Sequence, residues 1–171
     1  GTGTDNGSIW LVIWGDNTCH GIIPKGSTAG LQMTDKGQVT LEDASDGSNS
    51  GRMEAYRTHY RWDAGLTVRD WRFIVRICNI DKSNRTADAS SGPDLADLMF
   101  QAIDIVPNLS LGRPAFYMDR TMRGFLRRQI PAAVALSTLT MENVGGKMLT
   151  SFQGVPVRRV DALAADEARI T

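Results

Sequence analysis

The stretch Ser8-Ile9-Trp10-Leu11-Val12-Ile13-Trp14 decides how the first half of this sequence folds. It is apolar after Ser8, and it is bounded by Gly7 and by the turn-forming run Gly15-Asp16-Asn17. A short apolar run between turn residues is typical of a buried strand. It is also far shorter than the ~20 residues that a membrane-spanning helix needs. We therefore predict a buried strand over residues 8–14 and no membrane partner.

Composition places the chain among ordinary globular proteins. It has 171 residues, 42% hydrophobic and 22% charged, with 19 basic and 19 acidic side chains. This length suits one domain, and the charge balance argues against a dedicated nucleic-acid binder, which is normally strongly basic. The first residue is Gly1 and not Met, so we expect residues 1–171 to be a single fragment of a larger protomer.

Residues 8–80 are predicted to be the strand-rich part. A short strand is expected at Gly21–Pro24, and residues 31–41 alternate weakly between apolar and polar. The polar, acidic stretch 42–51 indicates the tip of a long hairpin. Its second arm, Met53–Val68, has period-two patterning that predicts one long twisted strand. Residues 71–80 fit either a strand or a helix capped by Asp70.

Residues 92–163 change to a helix, strand, helix, hairpin order. Pro93 occupies a favoured first helical position, and apolar side chains fall on one helical face up to Pro107. Residues 114–118 form a short strand, after which Asp119 caps a helix that runs to Gln129 and that Pro131 ends. A short helix is expected after Thr140, a turn at 145–146, and a hairpin that pairs 148–152 with 155–160. The fold class is therefore α+β.

The residue types needed for catalysis or metal binding are not arranged in any known motif. His20 and His59 are the two histidines, and Cys19 lies directly beside His20, so their side chains diverge on a strand. Pro24-Lys25-Gly26-Ser27 resembles the end of a phosphate-binding loop, but the upstream glycine spacing is wrong. We therefore predict no catalytic, cofactor or metal site, no enzyme activity, and reduced cysteines.

The strand Tyr56-Arg57-Thr58-His59-Tyr60-Arg61-Trp62 interleaves aromatic and basic side chains. Such a pattern can stack on single-stranded nucleic acid or hold a ligand, so a small binding module is the alternative function. The structural interpretation is that the aromatic side chains face a core and the arginines face solvent or a partner.

Charge is distributed in blocks of alternating sign. Residues 1–50 carry 2 basic and 6 acidic side chains, and residues 51–86 carry 8 and 4. Residues 87–111 carry 0 and 4, and residues 112–130 carry 5 and 1. Such blocks can complement a neighbouring copy in a head-to-tail contact, or they can neutralise one another within one chain. Both interpretations remain open.

Several segments resemble a known family. Gly112-Arg113-Pro114-Ala115-Phe116-Tyr117-Met118-Asp119-Arg120-Thr121-Met122 is similar to the strand-to-helix "xxxMNxxT" segment of tailed-phage major capsid proteins of the Hong Kong 97-like fold, with Asp119 where Asn is usual. Residues 152–163 are similar to the family's "G-x-PV-xx-x-DA" strand, and 94–99 to the helix that precedes these elements. Residues 22–31 and 62–72 are similar to a podophage-like subgroup.

The resemblance implies a capsid protomer with a strand-rich N-terminal half and an axial-domain-like C-terminal half. It implies a structural subunit of an icosahedral head shell, located in the virion and, during assembly, in the host cytoplasm. Its partners would be copies of itself in hexamers and pentamers, scaffolding, portal or decoration proteins, and packaged DNA only weakly and non-specifically. We expect the basic helix 119–129 to meet an acidic patch of a neighbour, and the suspected interface residues are Asp94, Asp97, Asp104, Arg120, Arg123, Arg127 and Arg128.

Overall fold

The computed structural model describes residues 5–43, 51–82, 92–133, 139–144, 147–163 and 166–170. The chain divides into two compact units. The larger comprises Gly1–His20 and Val68–Thr171, and the smaller comprises Gly21–Thr67. Strands predominate over the two α-helices of the described residues, so the α+β class is confirmed.

The first strand, β1 (Asn6–Trp14), is the centre of the larger unit. It pairs antiparallel with β6 (Ile74–Asp81) along one edge and with β7 (Arg113–Met118) along the other. Ile9, Leu11 and Ile13 are fully buried, whereas the alternate side chains are half-buried. The predicted buried strand is therefore confirmed, with one face more deeply covered than the other.

The remaining elements are further strands of this sheet, the two helices, and the strands β3 and β4 of the smaller unit. Their bounds are β2 Cys19–Ile22, β3 Gln32–Asp43, β4 Gly51–Arg61, β5 Gly65–Val68, α1 Leu95–Ile105, α2 Arg120–Ala133, β8 Leu139–Val144, β9 Lys147–Phe152 and β10 Val155–Arg159. The main sheet has the order β5-β2-β1-β7-β10-β9-β8, with β6 also on β1, and β3 and β4 form a separate two-stranded sheet. Because β7 and β10 are parallel, the chain between them must cross over, and α2 begins that crossover.

The core lies between the sheet and the two helices. Met99 and Leu95 of α1 and Met122 and Leu126 of α2 are essentially fully buried against the inward side chains of the strands. Phe152 contacts two aromatic rings, Phe100 at 4.9 Å and Phe116 at 6.1 Å between centroids.

A buried glutamine joins the two helices. The Gln129 carboxamide accepts from the Leu95 amide at 3.2 Å and donates to the Pro93 carbonyl at 2.8 Å. These bonds hold the start of α1 against α2, and a buried amide without such partners would destabilise the fold.

The hairpins are confirmed. β3 pairs with β4 from Gln32↔Arg61 to Asp43↔Gly51, so Glu42, Asp43 and Gly51 of the predicted tip belong to the arms, and residues 44–50 lie outside the described residues. β9 pairs with β10 across Gln153-Gly154, both of which have positive φ as a tight hairpin turn requires. The turn predicted at 145–146 also lies outside the described residues.

Four local predictions need correction. The strand over 53–68 is interrupted after Arg61, because Asp63 accepts from both the Arg61 guanidinium and the Ser27 hydroxyl and fixes a turn before β5. The helix expected after Thr140 is strand β8, which the pairing with β9 stabilises. Helix α2 continues to Ala133, since a proline in the last turn removes only one helical hydrogen bond. Pro93 precedes the cap residue Asp94 and is not itself helical.

The ambiguity at residues 71–80 is resolved in favour of the strand. Asp70 caps a single 3-10 turn, Trp71–Phe73, by accepting from the Arg72 amide at 3.0 Å, and β6 follows directly. Both signals in the sequence were therefore real, but the helical one extends over one turn only.

Two glycines should respond oppositely to alanine. A Cβ at Gly112 would lie 2.4 Å from the Trp14 carbonyl oxygen, so Gly112→Ala must push β1 and β7 apart. We expect it to lower the free energy of unfolding by about 1–3 kcal/mol. A Cβ at Gly124, in the middle of α2, meets no atom within 4 Å. Gly124→Ala should raise the free energy of unfolding by about 0.5–1 kcal/mol. Urea titration measures the free energy of unfolding of both variants. Equal changes in the two variants would contradict the close approach of Gly112 to the Trp14 carbonyl oxygen.

The start of α2 depends on Asp119. Its carboxylate accepts from the Thr121 amide at 3.0 Å, and although burial opposes ionisation, these hydrogen bonds hold the pKa of Asp119 below its ordinary value. Asp119→Ala should cost about 0.5–2 kcal/mol, whereas Asp119→Asn, which also caps, should cost much less at pH 7.

The same carboxylate predicts a pH dependence. Because its pKa is lowered on folding, its contribution is complete above the unfolded value of ~3.9 and is lost as pH falls through the folded value. The free energy of unfolding of the Asp119→Asn variant should therefore fall less as the pH is lowered than that of the wild-type chain. The same pH dependence in both proteins would contradict a capping role for the Asp119 carboxylate.

Candidate subunit-contact surfaces

Helix α2 and the end of β10 together present a basic surface. We call it the arginine surface, and its members are Arg120, Arg123, Arg127, Arg128 and Arg159. The parallel pairing of β10 with β7 brings Arg159 beside Met118, immediately before α2. Strand β10 thus adds a fifth guanidinium to the four that the helix carries.

One carboxylate forms ion pairs with two of these arginines, so one positive charge of the three groups remains unbalanced. Arg120 holds Asp161 through two nitrogens, Nε at 3.1 Å and Nη2 at 3.0 Å, and Arg159 contacts the same carboxylate at 3.3 Å. The hydrogen bonds from Arg120 are the main cause of a lowered pKa at Asp161. All three side chains are at least 41% exposed, so the pairs are screened by solvent and orient the arginines more than they stabilise the fold.

Arg123 and Arg127 converge on one hydroxyl. Their Nη2 atoms donate to Thr150 Oγ1 at 3.2 and 2.9 Å. Burial lowers the pKa of Arg123, and the charges of Arg127 and Arg159 lower it further. Its Nε is buried and has no hydrogen-bond partner among the described residues. Two guanidiniums that share one neutral hydroxyl leave positive charge that an external anion would neutralise.

Arg128, the last arginine of α2, packs on an aromatic side chain. Its guanidinium carbon lies 5.6 Å from the centre of the Phe125 ring.

On α1, Asp94 caps the helix by accepting from the amides of Ala96 and Asp97 at 3.0 and 3.1 Å.

Asp97 and Asp104 lie further along α1 and are exposed. Asp97 accepts from the Gln101 carboxamide at 2.6 Å, and Asp104 forms no ion pair with a described residue. Asp97 and Asp104 are seven residues apart and share one face of the helix, ~10.5 Å from each other along its axis.

Six of the seven suspected residues therefore divide into two groups, and the seventh, Arg128, lies over the Phe125 ring. Arg120, Arg123 and Arg127 are brought together around Thr150 and Asp161, and the three aspartates lie along α1. Within the described part of the chain no ion pair joins the two groups. The sequence-based prediction missed Thr150, Arg159 and Asp161. A parallel crossover from β7 to β10 places the end of β10 beside the start of α2, and this could have suggested Arg159 and Asp161, but no local signal marks Thr150 on β9.

The hairpin of β3 and β4 has two apolar patches on opposite faces. A bulge between Asp35 and Gln38 reverses the alternation along β3. Near its base, Met33, Tyr56 and Tyr60 share one face, as the pairs Met33↔Tyr60 and Gln38↔Tyr56 require. Near its end, the other face carries Val39, Leu41, Met53 and Ala55.

The aromatic side chains of residues 56–62 are exposed, which differs from the structural interpretation of this strand. We expected its aromatic side chains to face a core, yet Tyr56, Tyr60 and Trp62 are 80%, 59% and 71% exposed. The reason is that a two-stranded sheet has no second layer of its own to cover them. Large exposed aromatic side chains mark contact surfaces.

Other kinds of site are less well supported. Over the described ranges, no three His, Cys, Asp or Glu side chains come together as metal ligands would, and no helix is both long and apolar enough to cross a membrane. Burial raises the pKa of the Cys19 thiol, which makes it less reactive at neutral pH. Cys19 and Cys78 are both free.

Comparison with known proteins agrees with a contact role. The chain matches the family model described as major capsid protein GP7 over residues 1–171. No curated protein matches the chain. Nothing in this match supports the alternative function, a small binding module on strand 56–62. The match spans the whole sequence, and the chain therefore belongs to the GP7 major capsid protein family and is a structural subunit of a bacteriophage head shell.

Proposed function

We propose that this subunit builds the head by head-to-tail contacts in which the arginine surface of one copy meets the acidic face of α1 on the next. A major capsid protein self-assembles into a shell and is a component of the virion, and such a structural family implies a non-enzymatic protein. The finer proposal is an icosahedral head with hexamers and pentamers, which arise when one head-to-tail contact closes into rings.

A Hong Kong 97-like fold is part of the proposal. It is supported by the order of elements, in which a strand-rich half with a long hairpin precedes the helix α1, the strand β7, the helix α2 and a terminal hairpin. The strand-rich part 8–80 and the helix-strand-helix-hairpin part 92–163 stay part of the proposal, and within the chain residues 21–67 form a compact unit of their own.

The observation that carries the proposal is the unbalanced charge of the arginine surface. Asp161 is the one carboxylate that forms ion pairs with it in the described part of the chain, and Arg123 has a buried donor without a partner there. A buried donor that stays unsatisfied costs about 1–3 kcal/mol, so an anion supplied by assembly stabilises the complex.

The acidic face of α1 fits that requirement. Asp97 and Asp104 repeat at the seven-residue spacing that also separates Arg120 from Arg127, so two packed helices can align both pairs at ~10.5 Å. Asp94 is a weaker contributor, because its carboxylate already caps α1. Complementary surfaces of this kind fix register and partner more than they add affinity.

Further partners follow from the shell role. Scaffolding, portal or decoration proteins would bind the assembled head, and subunits would assemble in the host cytoplasm. Contact with packaged DNA would be weak and non-specific, because the chain as a whole carries no net charge.

Charge reversal tests the proposed contact. Arg127→Glu/Arg128→Glu should prevent shell formation, or shift it to about tenfold higher subunit concentration or more, because like charges then face each other. The unfolding midpoint of the unassembled chain should stay within a few degrees of wild type, since both side chains are exposed. Electron microscopy and sedimentation measure assembly.

The control is Arg69→Glu/Arg169→Glu, which changes net charge equally at exposed positions away from α2. It should assemble normally. Adding Asp97→Arg/Asp104→Arg to the α2 variant should restore shells. Normal assembly of the α2 variant, or no restoration by the α1 reversal, would contradict the pairing.

A further inference from the structure

The smaller unit has a polar cavity beside the turn that precedes β3. It measures about 280 Å³ and is lined by residues 24–28, Gln32, Arg61 and Asp63. All of these belong to the compact unit Gly21–Thr67. Most of the lining side chains are polar or charged, so the cavity suits an ion better than an apolar ligand.

A tight turn forms one wall of this cavity. The Ser27 amide donates to the Pro24 carbonyl at 3.1 Å, and Gly26 has a φ of +91°, as the third position of a type II turn requires. The amides of Lys25 and Gly26 donate to no described residue. Backbone amides of such a turn can bind an anion when they are free.

Asp63 holds the other wall in place. Its Oδ1 accepts from the Arg61 Nε at 2.9 Å, and its Oδ2 accepts from the Ser27 hydroxyl at 2.7 Å. Gln32 secures the turn by donating to the Thr28 carbonyl at 3.2 Å. The hydrogen bonds from Arg61 and Ser27 lower the pKa of Asp63, so the carboxylate is ionised at neutral pH and both its oxygens are occupied.

Two cations line the cavity beside this single carboxylate. Lys25 forms no ion pair with a described residue. Arg61 uses Nε for Asp63, and its two terminal nitrogens have no acceptor in the described part of the chain. One ammonium and one guanidinium against one carboxylate leave one positive charge. Charged donors without acceptors match a ligand with several anionic oxygens.

Another cavity shows by contrast what this one lacks. It measures about 610 Å³ and lies beside Trp14 and Tyr117 of the main sheet, where the Trp14 indole donates to the Tyr117 hydroxyl at 2.7 Å. The cavity beside Lys25 is less than half as large and has no aromatic ring in its lining. It therefore gives a nucleotide base no ring on which to stack.

We propose that the cavity beside Lys25 binds inorganic phosphate or the phosphate group of a small phosphate monoester. Arg61 can donate to two phosphate oxygens through its terminal nitrogens, and Lys25 contributes a mobile point charge. The free amides of the turn add neutral donors. This explains why Pro24-Lys25-Gly26-Ser27 resembles a phosphate-binding loop although its glycine spacing differs, since a lysine beside a glycine turn serves the same anion without the helix that follows such a loop.

Charge count favours a single phosphate over the backbone of packaged DNA. Proteins that depend on phosphate contacts with DNA make ~6–10 of them, whereas this cavity is lined by two cations and one carboxylate. The inference does not depend on the shell role of the chain.

Titration of the full chain with inorganic phosphate, followed by amide NMR at constant ionic strength, tests the site. We expect saturable shifts at the amides of Lys25 and Gly26. Lys25→Gln should raise the dissociation constant about tenfold or more, because a charged hydrogen-bond donor is lost. The matched control is Lys36→Gln, which removes the same charge from an exposed position of β3 outside the cavity and should leave the affinity unchanged.

A third variant should act in the opposite direction. Asp63→Asn keeps an oxygen that can accept from Arg61 but removes the negative charge, so it should bind phosphate several-fold more tightly. A nucleoside 5′-monophosphate, which tests a monoester source, should bind within about threefold of inorganic phosphate, since its base has no ring to stack on.

Four results would overturn the proposal. They are shifts that do not saturate at the turn, equal weakening by Lys25→Gln and Lys36→Gln, weaker binding to Asp63→Asn, and displacement of the phosphate by a duplex oligonucleotide at much lower concentration. The last result would assign the cavity to DNA. All of these measurements use unassembled chains, so they are independent of the test of the arginine surface.

Discussion

Hydrogen bonding along both edges of β1 is the constraint on which the larger unit depends. Strand β6 is bonded to one edge and β7 to the other, and β10, β9 and β8 are attached through β7. Ile9, Leu11 and Ile13 are completely buried, each worth about 1.5–3 kcal/mol of burial free energy. A strand fixed in this way sets the register of the whole sheet, because a slip of one residue would exchange its two faces.

This register also separates core from contact surface. One face of the sheet packs against α1 and α2, and the crossover from β7 through α2 to β10 gathers Arg120, Arg123 and Arg159 near Thr150 and Asp161. The other face keeps Trp14 and Tyr117 accessible beside Arg113 and Arg158. The hairpin of β3 and β4 adds apolar side chains without a layer to cover them. A shell subunit needs such surfaces, since its work is done by contacts with its copies.

The sequence could predict the elements whose signals are local. The apolar run of β1, the cap at Asp119 and the turn at Gln153-Gly154 depend on neighbouring residues, and all three are confirmed. Family motifs identified the capsid role, which no catalytic or metal pattern contradicted. The predicted helix after Thr140 was wrong, because pairing with β9 overrides weak local preference.

What the sequence could not supply is long-range pairing. Thr150 lies 27 residues from Arg123, and Trp14 lies 103 residues from Tyr117, so neither site is visible as a motif. The exposure of Tyr56 and Tyr60 was also hidden, because period-two alternation identifies a face but not whether a second layer covers it. The sequence could not show which charges are balanced within the chain, for the same reason. Arg120 forms an ion pair with Asp161, whereas Arg123 lies beside the like charge of Arg127, and only the three-dimensional structure distinguishes these two arrangements.

The arginine surface is the part of the subunit that we expect a neighbouring copy to complete, because Arg123 and Arg127 share one neutral hydroxyl. A cryo-electron microscopy map of the assembled head would show this contact at the level of side chains. We predict that a carboxylate of a neighbouring copy lies within hydrogen-bonding distance of Arg123 or Arg127. If both side chains instead faced the interior or the outer solvent of the shell, the proposed contact would be wrong.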